Sequence, residues 1–476
     1  VHLERSHRQQ QDLAGMSEQQ PKGGKTIEQL REEAGWKPTG TVADYFPQDG
    51  LGFAHDSKLK YARASTHQSG VLYMGPWENM ADGFSEHTRR CARALKLAGM
   101  PVHLRSGTPT VYKPDRRLGR DLRDELDDLL NESIRRYSAM VHQVVPSGGV
   151  LDGITTKEIT SAARYQKLGF TMQEQQRINR GRIIYSVWER QDLHESEVSA
   201  LGRVGQVWVA CHANLKMLER HGIETGRVVP VPFMPDDPLL ELEGRKRRRG
   251  PVRFYSIGKW EPRKEHHSLL GAFLREFAPG EAQLWLKTSP RAPRMRGYPS
   301  SSDESVTHWL KDEQVIAKGW DWNNAQRFVY IKKAVLSPKL MLELHSVGDV
   351  YVTVSRGEGF DMPAFDAKLA GNLLVYTPSG GPQDFAGERD VRVVPSGTVQ
   401  CHPFYDWGEA RYLDYELDAV CDAMRCAWNT VRQGRACRGM DLEPFSAIEV
   451  GRRMRAYVEE LAGQGGGEPF GGGGHG

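Results

Sequence analysis

Residues 349–371 read DVYVTVSRGEGFDMPAFDAKLAG. The run Asp349–Val354 is apolar and β-branched, the composition of a buried strand. At Asp361 the pattern becomes helical: Asp is a favoured N-cap, and Pro363 falls in the first turn, where its missing N–H costs nothing. Gly359 lets the backbone approach a ligand closely. The free N–H groups of Gly359, Phe360 and the helix start would then face an anion, favoured by the helix dipole. Glu358 lies just outside the helix and Asp366 about a turn inside. Carboxylates repel phosphate but accept hydrogen bonds from hydroxyl groups. The bland alternative is that Asp361 only caps a helix while Glu358 and Asp366 are solvated. Spacing does not separate the two readings, so the surrounding chain has to.

Working outward, VRFYSIG (252–258) is a second strand, and it ends at Gly258 beside Lys259, Arg263 and Lys264. Cations at a strand end can neutralise a diphosphate, although a basic surface turn has the same composition. HSLLGAFLREF and SPKLMLELHSVG read as helices, AQLWLKTS and NLLVYT as strands. The same grammar appears earlier. VLYMG (71–75), a helix with Ser85 as N-cap and Gly99 as stop, and PVHLRS (101–106) form a βαβ unit, which implies a parallel sheet. Strands are also expected at 140–146, 182–188, 206–211 and 227–232, and a charged helix at 115–137. Two doubly wound α/β domains in tandem account for this order. We divide the chain into an N-terminal extension (1–66), a first Rossmann-like domain (67–233), a polar linker (234–250), a second Rossmann-like domain (251–440), a helix packing back on the first domain (441–462) and a glycine-rich tail (463–476).

The totals exclude several classes. A length of 476 residues exceeds one core, and 39% hydrophobic with 26% charged residues is a soluble profile with no membrane-spanning run. The net charge of +3 gives no general affinity for nucleic acid. The cluster RKRRR (245–249) reads as a solvated linker, with a peripheral contact to anionic lipid left open. The six cysteines include no CxxC pair and the 16 histidines no HExxH, so reduced thiols, a cytoplasmic setting and no metal site are expected. The strand–turn–helix junctions lack GxGxxG, which argues against a dinucleotide-dependent oxidoreductase. Residue 1 is Val, and Met16 is a candidate initiator.

The two loops described first, in this order, resemble the retaining GT-B glycosyltransferases, in particular family 4. That family carries G-R-x-x-x-x-K after one strand and E-G-F-G-x-x-x-x-E opening a helix. Gly258, Lys259 and Lys264 match the first motif, with Lys for Arg. Glu358, Gly359 and Phe360 match the second, with Asp361 for the last Gly and Asp366 for the second Glu. NLLVYTPSGGPQDF is similar to the following strand and Gly-Gly turn, which implies that Gly380 and Gly381 lie by the donor. The loop ENMADGF is similar to the family's glycine loop and implies that Gly83 and Phe84 line an interdomain cleft, with Glu189 as a further cleft residue. Cys211 stands where Ser is usual. His142 either corresponds to a cleft histidine or is a structural strand residue.

The resemblance spans about Val71 to Val394 and implies transfer of a sugar from a nucleoside-diphosphate sugar, with retention, to an unknown acceptor. It assigns Glu358, Lys264 and Lys259 to catalysis. Gly258, Arg263, Gly359, Phe360, Asp361, Asp366, Gly380 and Gly381 fall to donor binding, with no cofactor and no metal. Because Asp361, Asp366 and Lys259 depart from the family pattern, a non-catalytic relative that binds nucleotide-sugars is the alternative.

Overall fold

Strands form where the sequence concentrates β-branched and aromatic residues, and their order in each sheet sets where a ligand can bind. The computed structural model describes residues 69–77, 83–106, 126–130, 132, 134, 136–144, 181–242, 250–289, 297–402, 410–434, 439–464 and 470–471. The expected N-terminal extension, the RKRRR cluster, most of the tail and residues 115–125 of the expected charged helix lie outside them.

The first half contains β1 (Ser69–Gly75), α1 (Gly83–Leu97), β2 (Val102–Ser106), the short α2 (Asp127–Leu130), β3 (Arg136–Gln143), β4 (Arg182–Ser186), α3 (Glu195–Leu201), β5 (Gln206–Val209), α4 (His212–Arg220) and β6 (Gly226–Val228). Its sheet has the order β2-β1-β3-β4-β5-β6, parallel throughout. Residues 131–137 were expected to continue a helix. Instead Arg136 and Tyr137 open β3, because Tyr137 and Met140 face one core while Ala139 and Val141 face the other. Such two-sided burial is what a central parallel strand requires. Helix α1 begins at Gly83, so Ser85 is a buried residue of its first turn and not its cap.

The second half runs β7 (Val252–Ile257), α5 (His266–Glu276), β8 (Ala282–Thr288), α6 (Ser302–Trp309), α7 (Glu313–Ala317), α8 (Trp322–Phe328), β9 (Val329–Lys333), α9 (Pro338–Val347), β10 (Val350–Thr353), α10 (Met362–Leu369), β11 (Leu373–Tyr376), α11 (Pro382–Phe385) and β12 (Val391–Arg392). A hairpin of β13 (Gly397–Gln400) and β14 (Arg411–Asp414) and the helix α12 (Leu417–Arg432) complete it. The second sheet is also parallel, in the order β12-β11-β10-β7-β8-β9. Counted from β7, that is the doubly wound order 3-2-1-4-5-6. The order reverses between β7 and β10, where two adjacent loops leave a crevice at the strands' carboxyl ends.

The chain passes between the halves twice. On the way out, Leu239, Leu240 and Leu242 of a 3-10 turn in the expected polar linker are buried. On the way back, helix α13 (Ala447–Gln464) returns to α1. Gly451 lies so close to α1 that a Cβ there would meet Ala94 O at 2.1 Å, and Val450, Met454 and Val458 are fully buried. The crossing segments are themselves joined, with Phe233 N–H donating to Phe445 O and Ala447 N–H to Phe233 O. After α13 only β15 (Phe470–Gly471) is described, antiparallel to β3.

Candidate functional site where the two sheets meet

The loops after β7 and β10 are tied together by charge. Lys264 Nζ lies 2.5 Å from Glu358 Oε1, and Arg263 NH1 is 3.3 Å from Glu358 Oε2. Arg263 NH1 also donates to Gly357 O at 2.6 Å, while Ser355 Oγ donates to both Arg263 O and Gly357 O at 3.0 Å. The Glu358 side chain is 4% exposed and that of Lys264 16%. Burial alone would raise the Glu358 carboxyl, but Lys264 and Arg263 hold it below its ordinary value. Burial would likewise lower Lys264, and Glu358 holds it above. Both groups are therefore charged at neutral pH.

Backbone supplies the rest of this wall. Gly380 has φ of 65°, and a Cβ on it would meet Glu358 O at 2.0 Å; one on Gly381 would meet Phe360 O at 2.2 Å. Only glycine allows the approach, and at Gly380 the left-handed backbone favours it as well. Ser379 Oγ accepts from Glu358 N–H at 3.1 Å, and Gly381 N–H donates to Gly359 O at 3.1 Å. The Phe360 ring turns away from the charges and packs with Phe365 and Phe385, and its neighbour Phe445 belongs to the same cluster. Asp361 precedes α10 but does not cap it as expected. Its backbone is left-handed, and its side chain makes no capping hydrogen bond. His266 stacks on Trp260, and burial next to the Lys264 cation pushes its imidazole down to about 3.

The carboxyl edge of the first sheet abuts this wall. Glu189, just beyond β4, places Oε1 3.0 Å from Arg263 NH2, and its carbonyl would be 1.8 Å from a Cβ on Gly357. Burial raises the Glu189 carboxyl, with Arg263 opposing and Glu358 adding to the rise. A Cβ on Gly359 would meet Val187 at 2.5 Å. Cys211 Sγ donates to Gly359 O at 3.1 Å, and His212 N–H to Asp384 Oδ2 at 2.8 Å. Gly83 reaches the same rim, where a Cβ would stand 3.7 Å from Met362. Phe84, half-buried beside it, accepts through its carbonyl from Thr88 Oγ1 at 3.1 Å.

The structure thus gathers Gly258, Arg263, Lys264, Glu358, Gly359, Asp361, Gly380, Gly381 and Glu189 at one place. Three others stand outside its ion pairs. Lys259 is exposed and forms no ion pair among the described residues. His142 is buried in β3, in register with Met74 and Ile184. Asp366 does not share a partner with Glu358; it lies 3.2 Å from Arg90 NH2, and Arg90 also faces Glu86 at 2.7 Å and Asp237 at 3.8 Å. Burial pushes the Asp366 carboxyl up to about 7, with Asp237 and Glu86 adding to the rise and Arg90 opposing it. The sequence reading missed Arg90. Its contact spans 276 positions, and one Arg on the charged face of α1 carries no local signal.

No family model matches the chain, and no curated protein matches it. Solved structures do. A sucrose-phosphate synthase from Thermosynechococcus elongatus is 16% identical with a TM-score of 0.47, over 84% of this chain and 98% of that one. A UDP-forming α,α-trehalose-phosphate synthase from Burkholderia xenovorans is 12% identical with a TM-score of 0.48, over 83% and 100%. Anabaena HepE, in complex with UDP and glucose, is 11% identical with a TM-score of 0.46, over 83% and 100%. With identities this low and TM-scores below 0.5, the ground for a functional reading is the site's own geometry.

Proposed function

We propose that this chain is a GT-B, family 4-like glycosyltransferase that moves a sugar from a nucleoside-diphosphate sugar to an acceptor with retained configuration. One observation carries the reading. A buried, ionised Lys264–Glu358 pair, flanked by Arg263, stands at the switch point of a doubly wound sheet and faces the carboxyl edge of another. Desolvated charges with shifted pKa values cluster at functional sites, and parallel sheets bind ligands at this point.

In this scheme the second half (251–440) holds the donor. Lys264, Arg263, Lys259 and the N-terminus of α10 stabilise charge on the departing diphosphate. Glu358 accepts hydrogen bonds from the sugar, Gly380 and Gly381 bring backbone close to it, and Asp366, released from Arg90, takes the ribose. The first half (67–233) receives the acceptor, a glycan, lipid or protein hydroxyl, near Gly83, Phe84, His142 and Glu189. No carboxylate is assigned behind the anomeric carbon, so attack comes from the leaving-group face. The bond from the anomeric carbon to the diphosphate breaks as the acceptor oxygen bonds to that carbon, and the acceptor proton passes to a diphosphate oxygen. The scheme uses no metal and no cofactor, and a cytoplasmic location suits its donor. Among the described residues, no helix is long and apolar enough to cross a membrane. A non-catalytic nucleotide-sugar-binding relative is the second reading, favoured by the engagement of Asp366 with Arg90.

A thermal-shift series with UDP-, GDP- and ADP-glucose, with and without EDTA, tests this, followed by donor hydrolysis on wild type and Lys264→Ala. A ligand at a hundred times its Kd stabilises by about 2.7 kcal/mol, or roughly 5–10 °C at about 2–4 °C per kcal/mol. We expect a shift with one nucleotide and turnover that Lys264→Ala abolishes. A shift without turnover selects the second reading. No shift with any of the three defeats both.

A further inference from the structure

One guanidinium ties three segments of the chain together. Arg90, on α1 of the first half, has a side chain that is 9% exposed. Its NH2 lies 3.2 Å from Asp366 Oδ1 on α10 of the second half and 3.8 Å from Asp237 Oδ2 on the segment that crosses between them. Its Nε donates to Glu86 Oε1 at 2.7 Å. Glu86 has a second cation, Arg89, at 2.5 Å; burial alone would raise its carboxyl, but the two arginines hold it below its ordinary value. Asp236, next to Asp237, faces Arg93 at 3.7 Å. Asp366 and Asp237 meet no cation but Arg90 among the described residues. The other titratable groups around them bring no charge. Burial, with the Arg90 cation nearby, pushes His87 of α1 and His345 of α9 down to about 3, and burial holds Tyr255 of β7 well above its ordinary value. Two buried carboxylates on one nitrogen of a single guanidinium are served best by holding a proton between them. Burial raises both, Asp366 to about 7.

We propose that Arg90 is a positioning residue that locks the two halves together, and that the lock holds while Asp366 and Asp237 share one proton beside it and loosens when both are ionised. This goes beyond the function proposed above, because it concerns how the halves are held and needs no nucleotide; its failure leaves that reading untouched. Once the halves part, Asp366 becomes a solvated carboxylate that gives up its proton at an ordinary value. The joined arrangement therefore binds the proton more tightly. Raising the pH favours parting, by up to about tenfold per pH unit between about pH 4 and pH 7 and no further above that. Asp366 stands on the helix that follows the Glu358 loop, so the lock also sets how firmly that loop is pressed against the first half.

The test reads parting through Cys211, buried in the first half against Gly359 O of the second, with Cys421, buried inside the second half, as the control for unfolding. Iodoacetamide labelling of each thiol in the full chain is followed by peptide mass spectrometry between pH 5 and pH 8, and each rate is normalised to that of the denatured chain. The variants are Asp366→Asn, Arg90→Met and Arg90→Lys. Thiol reactivity and the His212–Asp384 contact, which also bridges the halves, are common to wild type and Asp366→Asn, so the ratio of their rates isolates Asp366. That ratio at Cys211 should rise about 10- to 100-fold from pH 5 to pH 8. At pH 8 Cys211 should label at least about tenfold faster than Cys421, as parting without unfolding requires. Arg90→Met should speed Cys211 labelling at pH 5 by at least about tenfold, and Arg90→Lys, which keeps the charge without the planar fork, should fall between. A ratio independent of pH overturns the proposal, and so do equal rates at the two thiols, which assign the effect to unfolding. Wild-type labelling in Arg90→Met overturns it too. If Arg90→Met does not fold, the comparison with Asp366→Asn decides alone.

Discussion

The two sheets meet through carboxyl edges of opposite character. Beside the first sheet's strand ends, Tyr73, Ser186 and Asn214 are neutral and matched within their own half, and the buried ion pair there, Arg190 with Glu197, is likewise closed within it. Tyr73 Oη donates to Gln143 Oε1 at 2.8 Å, Ser186 Oγ to Val144 O at 2.7 Å, and Asn214 bonds the Trp188 backbone at both its atoms. At the ends of the second, Arg263, Lys264, Glu358 and Asp361 are charged, and Asp361 keeps an oxygen unpaired. Neutral networks specify a fold at little electrostatic risk, whereas desolvated ions are costly and are kept where charge has a task. On the function proposed above, the chemistry falls to the second half and the first serves as its wall.

Glu358→Ala gives the largest expected effect. It strands Lys264 and weakens the tether on Arg263, at a cost on the order of 3–5 kcal/mol in denaturant melts, with donor turnover lost. Its counterpart in the first half, Glu189→Ala, removes a side chain that is 33% exposed from an Arg263 still paired with Glu261, and should cost within about 1 kcal/mol. Equal losses in the two variants would erase the asymmetry. Gly357→Ala comes next. Its Cβ collides with the Glu189 carbonyl, so the halves must part there, at about 1–3 kcal/mol and with a larger radius of gyration in solution scattering. An unchanged radius and melting point would show that the two edges do not press together.

The smallest effect depends on pH. Asp366 has a folded value of about 7 against an ordinary 3.8, so the folded chain binds its proton more tightly. The stability it costs is absent below about pH 4, grows as pH rises and is complete above about pH 7. Asp366→Asn should therefore gain on wild type in melting temperature, the gap opening as pH rises from about 4 to about 7. A constant difference across that range would mean that Arg90 holds the carboxylate ionised throughout.

Much of this was legible because strands buried on both faces cannot disguise themselves. DVYVTV, VRFYSI and RIIYS each appear as β-branched or aromatic runs, and each proved to be a sheet strand. Helix α12 was equally readable, with Val420, Met424, Ala427 and Val431 at helical spacing, yet the reading passed over it. Strand β9 was harder. VYIKK lies at the sheet edge with Tyr330 and both lysines largely outside, so it lacks an apolar run. The charged cluster could be placed because loops after neighbouring strands must meet. The engagement of Asp366 with Arg90 and the left-handed turn at Asp361 could not, since the first joins distant segments and the second depends on a backbone angle that composition leaves open.

The return of α13 to α1 bears on how the protein is made. Synthesis proceeds from the N-terminus, so α1, β1 and β2 leave the ribosome long before residue 447. Until then the face of α1 around Ala94 and Ala98, which α13 covers at Gly451, has no lid. Domains as a rule fold in order of emergence. Here the first half begins folding early and closes last, so a nascent chain stalled before α13 should stay bound to chaperones even with its second sheet complete.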